Sequence, residues 1–304
     1  MQLTHTVKND FILNMRHFIL FFPLFLISSH CSAVVKIKKE KKVLFIGNSL
    51  TYYHDMPQTV QKMIDGQKMN IKIDQSTPPG AMLSAHAKYL EDNGMERSAE
   101  INEIPTTVKK ILGEKWDMVV LQEQGGSPLI PEFRLVSFEP SLVYLDSIIK
   151  SINGKTVLYQ AYAGNKFPGQ LCQNISEIKH FAFKPMTTVN NYQKPLLDQS
   201  CSYLFKNSNE EFQEIKKEYD KMAKITNAGL VKVGYAFEGF KKKYPKIQLY
   251  EGQEDNHPSK QGSYLIACLF FRYITGKGLN NVKYTADLDV KQARLIRKFA
   301  DSIK

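Results

Sequence analysis

In Lys42-Val43-Leu44-Phe45-Ile46-Gly47-Asn48-Ser49-Leu50-Thr51, a short apolar run from Val43 to Ile46 stops at a Gly-Asn-Ser turn. Shortly after it, Met56-Pro57-Gln58-Thr59-Val60-Gln61-Lys62-Met63-Ile64 has helical spacing, with Pro57 in the first turn, where its missing N–H is not needed. A buried strand, a tight turn and a helix place the Ser49 hydroxyl at the carboxyl end of a sheet strand. Ligands gather there in open α/β sheets, and the N–H groups that open the helix point towards any anion formed beside it. Ser49 is therefore a candidate nucleophile. Gly-Asn-Ser is also ordinary turn chemistry, so the assignment depends on finding a base and oxyanion donors elsewhere.

Outward from this stretch, strand-like and helix-like segments alternate. Strands are expected over 43–46, 70–74, 116–121, 156–160 and 230–233. Helices are expected over 57–66, 83–90, 105–112, 140–151, 210–226, 237–244 and 259–276, the last two closing the chain. The run Trp116-Asp117-Met118-Val119-Val120-Leu121 is apolar enough for burial on both faces, as parallel strands are. This is the βαβ rhythm of a mostly parallel sheet with helices on both sides. The segment 166–208 fits least well. It holds Pro168, Gly169, Pro185 and Pro195 with little periodicity, and loops of that length usually cover a site or carry structure of their own. A lid or side wall is expected there.

At the start of the chain, Arg16 precedes the apolar run Phe18 to Ile27, which is too short to span a bilayer, and Ser28 to Ala33 are mostly small. This is the pattern of a secretory signal with cleavage after Ala33, so residues 1–33 are read as a signal and 34–304 as one domain, exported to the periplasm or beyond. Met15 is an alternative start. Cys31 offers lipid anchoring as a second route, although Ser28-Ser29-His30 suits it poorly. Losing Lys8, Arg16 and Asp10 takes the formal charge from +11 to +10. The remaining lysines are dispersed, with no Arg-rich or aromatic-interleaved stripe, so nucleic acid is not an expected partner. Cys268 lies in an apolar helical stretch and reads as buried. Export permits a disulfide between Cys172 and Cys201, a pairing that spacing leaves open. No Cys/His pattern has zinc spacing, the phosphate-binding glycine fingerprints are absent, and no metal or organic cofactor is expected.

A second motif lies near the end: Glu254-Asp255-Asn256-His257-Pro258-Ser259-Lys260-Gln261-Gly262-Ser263-Tyr264-Leu265. A loop histidine with acids two and three residues upstream can serve as a general base, one carboxylate fixing its tautomer while Nε2 takes a serine proton. Ser259 suits the N-cap of the next helix, which leaves His257 free of that role. His54, His86 and His180 read as structural or surface residues.

With these two motifs in view, the chain resembles the SGNH, or GDSL-type, hydrolases in a branch found in secreted bacterial proteins. Gly47-Asn48-Ser49-Leu50 is similar to their first block, with Asn48 where Asp is usual, and Glu254 to His257 resembles their closing Asp-x-x-His. The resemblance runs from about 41 to 276. It implies a flavodoxin-like, three-layer α/β/α sandwich on a five-stranded sheet and a serine without a sharp nucleophile elbow. It also implies an oxyanion hole of three donors: the Ser49 N–H, a glycine N–H matched by Gly80, and an asparagine side chain. Here the third block departs. After Val119-Val120-Leu121 stand Gln122-Glu123-Gln124-Gly125-Gly126 in place of Gly-x-Asn-Asp, so Gln122 or Gln124 has to supply the amide, and Glu123 is structural or lines the pocket. Family spacing lands on Glu254 as the triad acid, with Asp255 as its rival.

The expected activity is ester hydrolysis through an acyl-enzyme, with a small-molecule or carbohydrate ester as substrate and O-acetyl groups on carbohydrate leading. Lipid or aryl esters, and a non-catalytic glycan-binding protein on the same scaffold, are the alternatives.

Overall fold

A computed structural model describes residues 39–91, 110–111, 113–167, 169–184 and 198–304. The expected signal segment lies outside these residues, as does most of the helix expected over 105–112.

The strands are β1 (Lys41–Ile46), β2 (Ile71–Ser76), β3 (Met118–Gln122), β4 (Lys155–Tyr159), β5 (Cys172–Asn174), β6 (Gln199–Cys201) and β7 (Gly229–Val231). Five of them form one sheet in the order β2-β1-β3-β4-β7, every pair parallel. The main helices are α1 (Met56–Asp65), α2 (Leu83–Glu91), α3 (Glu139–Ser151), α4 (Ile175–Phe181), α5 (Ser208–Thr226), α6 (Val233–Lys243), α7 (Lys260–Thr275) and α8 (Val290–Ser302).

Successive strand residues point to opposite faces, and the two faces fill different cores. Val43, Phe45, Val120, Val157 and Tyr159 pack with α1, α6, α7 and α8. Leu44, Ile46, Val119, Leu121 and Leu158 pack with α2, α3 and α5. That is the expected three-layer sandwich, and burial on both faces accounts for the unbroken apolar runs. Each fully buried large side chain is worth about 1.5–3 kcal/mol, and Phe45 anchors the first core edge-to-face on Phe270, with ring centroids 4.9 Å apart.

The strand order is the flavodoxin-like one, whose crevice opens where the winding reverses, between the carboxyl ends of β1 and β3. Ser49 follows β1 and Gln122 ends β3, so the topology alone brings them together.

Two expectations are corrected. The helix expected from 237 begins at Val233 and runs to Lys243. The chain does not close at 276: α8 follows, capped by the Asp289 carboxylate on the N–H groups of Lys291 and Gln292. Within 166–208 the described residues form the antiparallel pair β5–β6, joined by a Cys172–Cys201 disulfide, together with α4. Cys268 is a buried free thiol.

Candidate active site

The turn after β1 is fixed by contacts that its sequence requires. Gly47 packs so closely on β3 that a Cβ there would lie 2.4 Å from Gln122 Oε1 and 2.8 Å from Thr51 Oγ1. Asn48 is buried and caps the single helical turn Ser49–Tyr52, its Oδ1 accepting from the Leu50 N–H at 3.1 Å. Its Nδ2 donates to Ala81 O at 2.9 Å, tying the turn to the loop that carries Gly80. An amide does both jobs here, whereas a carboxylate could not donate to Ala81.

His257 comes from the loop between Tyr250 and α7, closed by a bridge of Tyr250 with Pro258 and by Ser259 N–H donating to Leu249 O at 2.9 Å. Ser259 Oγ caps α7 on the Gly262 N–H. The loop after β4 braces it further. Tyr162 Oη donates to Asn256 O at 3.1 Å, and the Asn165 N–H donates to Asn256 Oδ1 at 2.9 Å.

These two loops meet. Ser49 Oγ lies 2.8 Å from His257 Nε2, and His257 Nδ1 lies 2.7 Å from Asp255 Oδ1. An ionised carboxylate only accepts, so Nδ1 carries the proton and Nε2 is left to receive the serine hydrogen. Asp255 Oδ1 also accepts the His257 backbone N–H at 2.8 Å. That backbone N–H holds the Asp255 carboxyl below its ordinary value against an upward push from burial, and the ring beside it adds to the lowering. Glu254, the acid that family spacing favours, does not reach the histidine. It is exposed and pairs with Lys166 at 2.8 Å.

The two glutamines separate as well. Gln124 is exposed at the cavity, while Gln122 is 1% exposed. Gln122 Oε1 accepts from the Asn48 N–H at 2.8 Å and from Thr51 Oγ1 at 2.9 Å. A flipped amide would set two N–H donors against each other at Asn48, so the orientation is determined. Gln122 Nε2 is left buried without a protein partner. Gly80 lines the same cavity with φ of +68°, a left-handed conformation that favours glycine.

The cavity over Ser49 measures about 710 Å³ and is lined by Ser49, Gly80, Gln122, Gln124, Asp255 and His257 among others. Lys166, Leu171, Cys172 and Gln173, from the segment expected to cover the site, form one wall. Glu123 also borders it: buried, it accepts from the Leu83 N–H at 3.0 Å and the Gln124 N–H at 2.7 Å, and burial raises its carboxyl to about 7 against those hydrogen bonds.

His86 is buried and set 3.0 Å from Gly47 O, with burial lowering its imidazole to about 4. His54 contacts Glu251, and His180 sits at the end of α4. Among the described residues no group of three or more His, Cys, Asp or Glu side chains is arranged to hold a metal ion. Nor is any described helix long and apolar enough to cross a membrane. Sequence reasoning missed Asn165 and Tyr53, which bear on His257 from distant parts of the chain and carry no local signature.

No protein-family model matches the chain, and no curated protein matches it. Among solved structures the chain is similar to a DUF4886 family protein from Bacteroides uniformis, 17% identical, over 86% of this chain and 94% of that one, with a TM-score of 0.62. It is also similar to an SGNH hydrolase candidate from Slackia heliotrinireducens, 17% identical over 78% of this chain and 100% of that one, TM-score 0.49. A third likeness is to the acetyl xylan esterase AlAXEase, 13% identical over 77% of this chain and 99% of that one, TM-score 0.48. The first likeness shows a shared fold.

Proposed function

We propose that this chain is a serine esterase of the SGNH type, with Ser49 as nucleophile, His257 as general base and acid, and Asp255 as the orienting carboxylate. The observation that carries this reading is the continuous relay from Ser49 Oγ to His257 Nε2 at 2.8 Å and from Nδ1 to Asp255 at 2.7 Å. Nothing in the fold requires such a relay.

In the first half-reaction Ser49 Oγ attacks the ester carbonyl and gives its proton to Nε2, and Asp255 stabilises the imidazolium. The oxyanion forms beside the Ser49 N–H, the Gly80 N–H and Gln122 Nε2. The first N–H groups of a helical turn have no acceptor within it, and Gln122 Nε2 is the amide donor without a partner. Each such donor is worth about 2.7–4 kcal/mol. Collapse expels the alcohol with the proton from His257, and the same imidazole then activates water against the acyl-enzyme.

Short acyl groups on carbohydrate are the substrate class we carry forward. The cavity of about 710 Å³ sets Gln124, Lys166, Gln173, Glu254 and Asn256, which can hydrogen-bond a polar alcohol portion, beside Leu50, Ile130, Phe133 and Leu171, which can pack on a short acyl chain. Residues 1–33 as an export signal agree with the Cys172–Cys201 disulfide, since such bonds persist in oxidising compartments.

The test is hydrolysis of p-nitrophenyl acetate, butyrate and octanoate by mature protein beside Ser49→Ala and His257→Ala. We expect acetate to lead and both substitutions to lower kcat by about 10⁴–10⁶. Wild type no faster than Ser49→Ala at every chain length overturns the esterase reading and favours glycan binding on the same scaffold.

A further inference from the structure

Tyr53 follows the helical turn that carries Ser49, and its N–H donates to Ser49 O. The next two residues, His54 and Asp55, both take left-handed backbone conformations, with φ of 50° and 51°. Two consecutive non-glycine residues in this region are uncommon and persist only where the surroundings impose them. Here the partner is the histidine loop. His54 pairs with Glu251, whose N–H in turn donates to His257 O at 3.0 Å. The Tyr53 ring lies on the His257 ring, with centroids 4.0 Å apart and planes within 10°.

That stack is closer than the about 4.5–7 Å separation at which neutral rings pack, where an offset or edge-on arrangement keeps their negative faces apart. Tyr162 and Phe237 stack almost as closely, at 4.3 Å and 9°, but that pair is packed into the core. The His257 side chain is 30% exposed and has room to tilt away. When an imidazole is protonated, the sign of the interaction changes, and a cation over a tyrosine face is attracted. The Tyr53 hydroxyl is pushed above its ordinary value, first by desolvation and then by Asp255, Tyr52 and Glu251. The phenol therefore stays neutral through the working pH range.

We propose that Tyr53 is a positioning residue for His257: its face holds the imidazole in the plane that reaches both Ser49 and Asp255, and stabilises the imidazolium formed as Ser49 loses its proton. The consequence for turnover rests on the serine-esterase reading; the effect on the imidazole does not. The other groups facing the pair are Asp255, Glu251 and Glu254 from the histidine loop, Tyr52 and His54 from the nucleophile turn, and Tyr162 and Lys166 from the loop after β4. Lys166 and Glu254 pair with each other, and all of these groups are common to wild type and variants.

The experiment is an NMR titration of the His257 ring in wild type, Tyr53→Phe, Tyr53→Trp and Tyr53→Leu, with kcat and KM for p-nitrophenyl acetate measured beside it. Phe and Trp keep a π face and are expected to titrate like wild type. Leu keeps bulk without the face, and its midpoint is expected to fall by about half a pH unit. Its kcat should fall about two- to fivefold at unchanged KM. A Leu variant that titrates like wild type overturns the proposal, as does a Phe variant that titrates like Leu, which would assign the effect to the hydroxyl. Should Leu fail to fold, the reading passes to Trp and Phe against Tyr53→Met. Absence of esterase activity in wild type would sink the proposed function and leave the titration to judge Tyr53.

Discussion

At the residue scale, the acid beside His257 turns on one residue of spacing. Glu254 and Asp255 are adjacent, and the loop's turn brings Asp255 onto Nδ1 and sends Glu254 outward to Lys166. Asp255→Asn is expected to lower kcat by about 10²–10⁴, because the amide can donate and so misassigns the imidazole tautomer. Glu254→Gln breaks an exposed pair worth about 0–1 kcal/mol and should leave kcat within about fivefold. Comparable losses in both variants would overturn the assignment. Gln122→Glu asks a sharper question. The substitution keeps an oxygen for the Asn48 N–H and Thr51 but replaces the free Nε2 donor with an acceptor. A loss of about 10²–10³ in kcat with a preserved melting temperature would support the oxyanion role. Ser49 and His257 were legible in sequence because each sits in a local motif with its own capping and turn chemistry. The choices between Gln122 and Gln124, and between Glu254 and Asp255, were not. Each depends on which way one side chain turns against a distant loop.

At the scale of elements, α7 positions the site. It is apolar almost all round because it packs between the sheet and α8, and its start lies against the segment that leads into the histidine loop. Gly262 makes that approach: a Cβ there would lie 2.2 Å from Leu249 O, a backbone atom that cannot rotate away. Gly262→Ala is expected to push α7 from Leu249 and lower stability by about 1–3 kcal/mol. It should also lower kcat more than it raises KM, since Leu249 O receives the Ser259 N–H two residues beyond His257. Thermal unfolding alongside steady-state kinetics checks both, and an unchanged kcat would show that the helix and the loop move independently. The central strands β1, β3 and β4 were readable because burial on both faces leaves apolar runs that little else produces, whereas the edge strands β2 and β7 are shorter on such residues. The helix α8 was equally readable and was missed: Asp289 is a standard cap, and Ala293, Ile296, Phe299 and Ala300 form its buried stripe. By contrast, β5 and β6 are three residues each and largely polar, held by one another and a disulfide rather than by a pattern in either segment.

At the scale of the whole molecule, stability and pH are linked through groups that the fold keeps from charging. Glu211 is 3% exposed on α5 beside the cavity, and burial raises its carboxyl from 4.5 to about 7 despite the Gly164 N–H and Lys241. Below about 4.5 both folded and unfolded chains hold this proton. Between 4.5 and about 7 the unfolded chain releases it and the folded chain retains it, so stability falls as pH rises, and it levels off above that range. His86 acts with the opposite sign. Its imidazole is lowered to about 4, so between 4 and its ordinary 6.5 the unfolded chain binds more protons and stability rises with pH. The wild-type profile sums these slopes with that of Glu123, so no single curve isolates Glu211. A difference between two proteins does. In Glu211→Gln the amide oxygen can still accept from Gly164, and the amine takes the place of Oε2, which has no partner. The slopes from His86, Glu123 and Asp255 cancel on subtraction. The melting temperature of Glu211→Gln minus that of wild type should therefore climb from pH 4.5 to 7 and plateau above it. A difference that stays flat across that window would mean Glu211 ionises in the folded protein as easily as in water, and its burial beside the cavity would need another account.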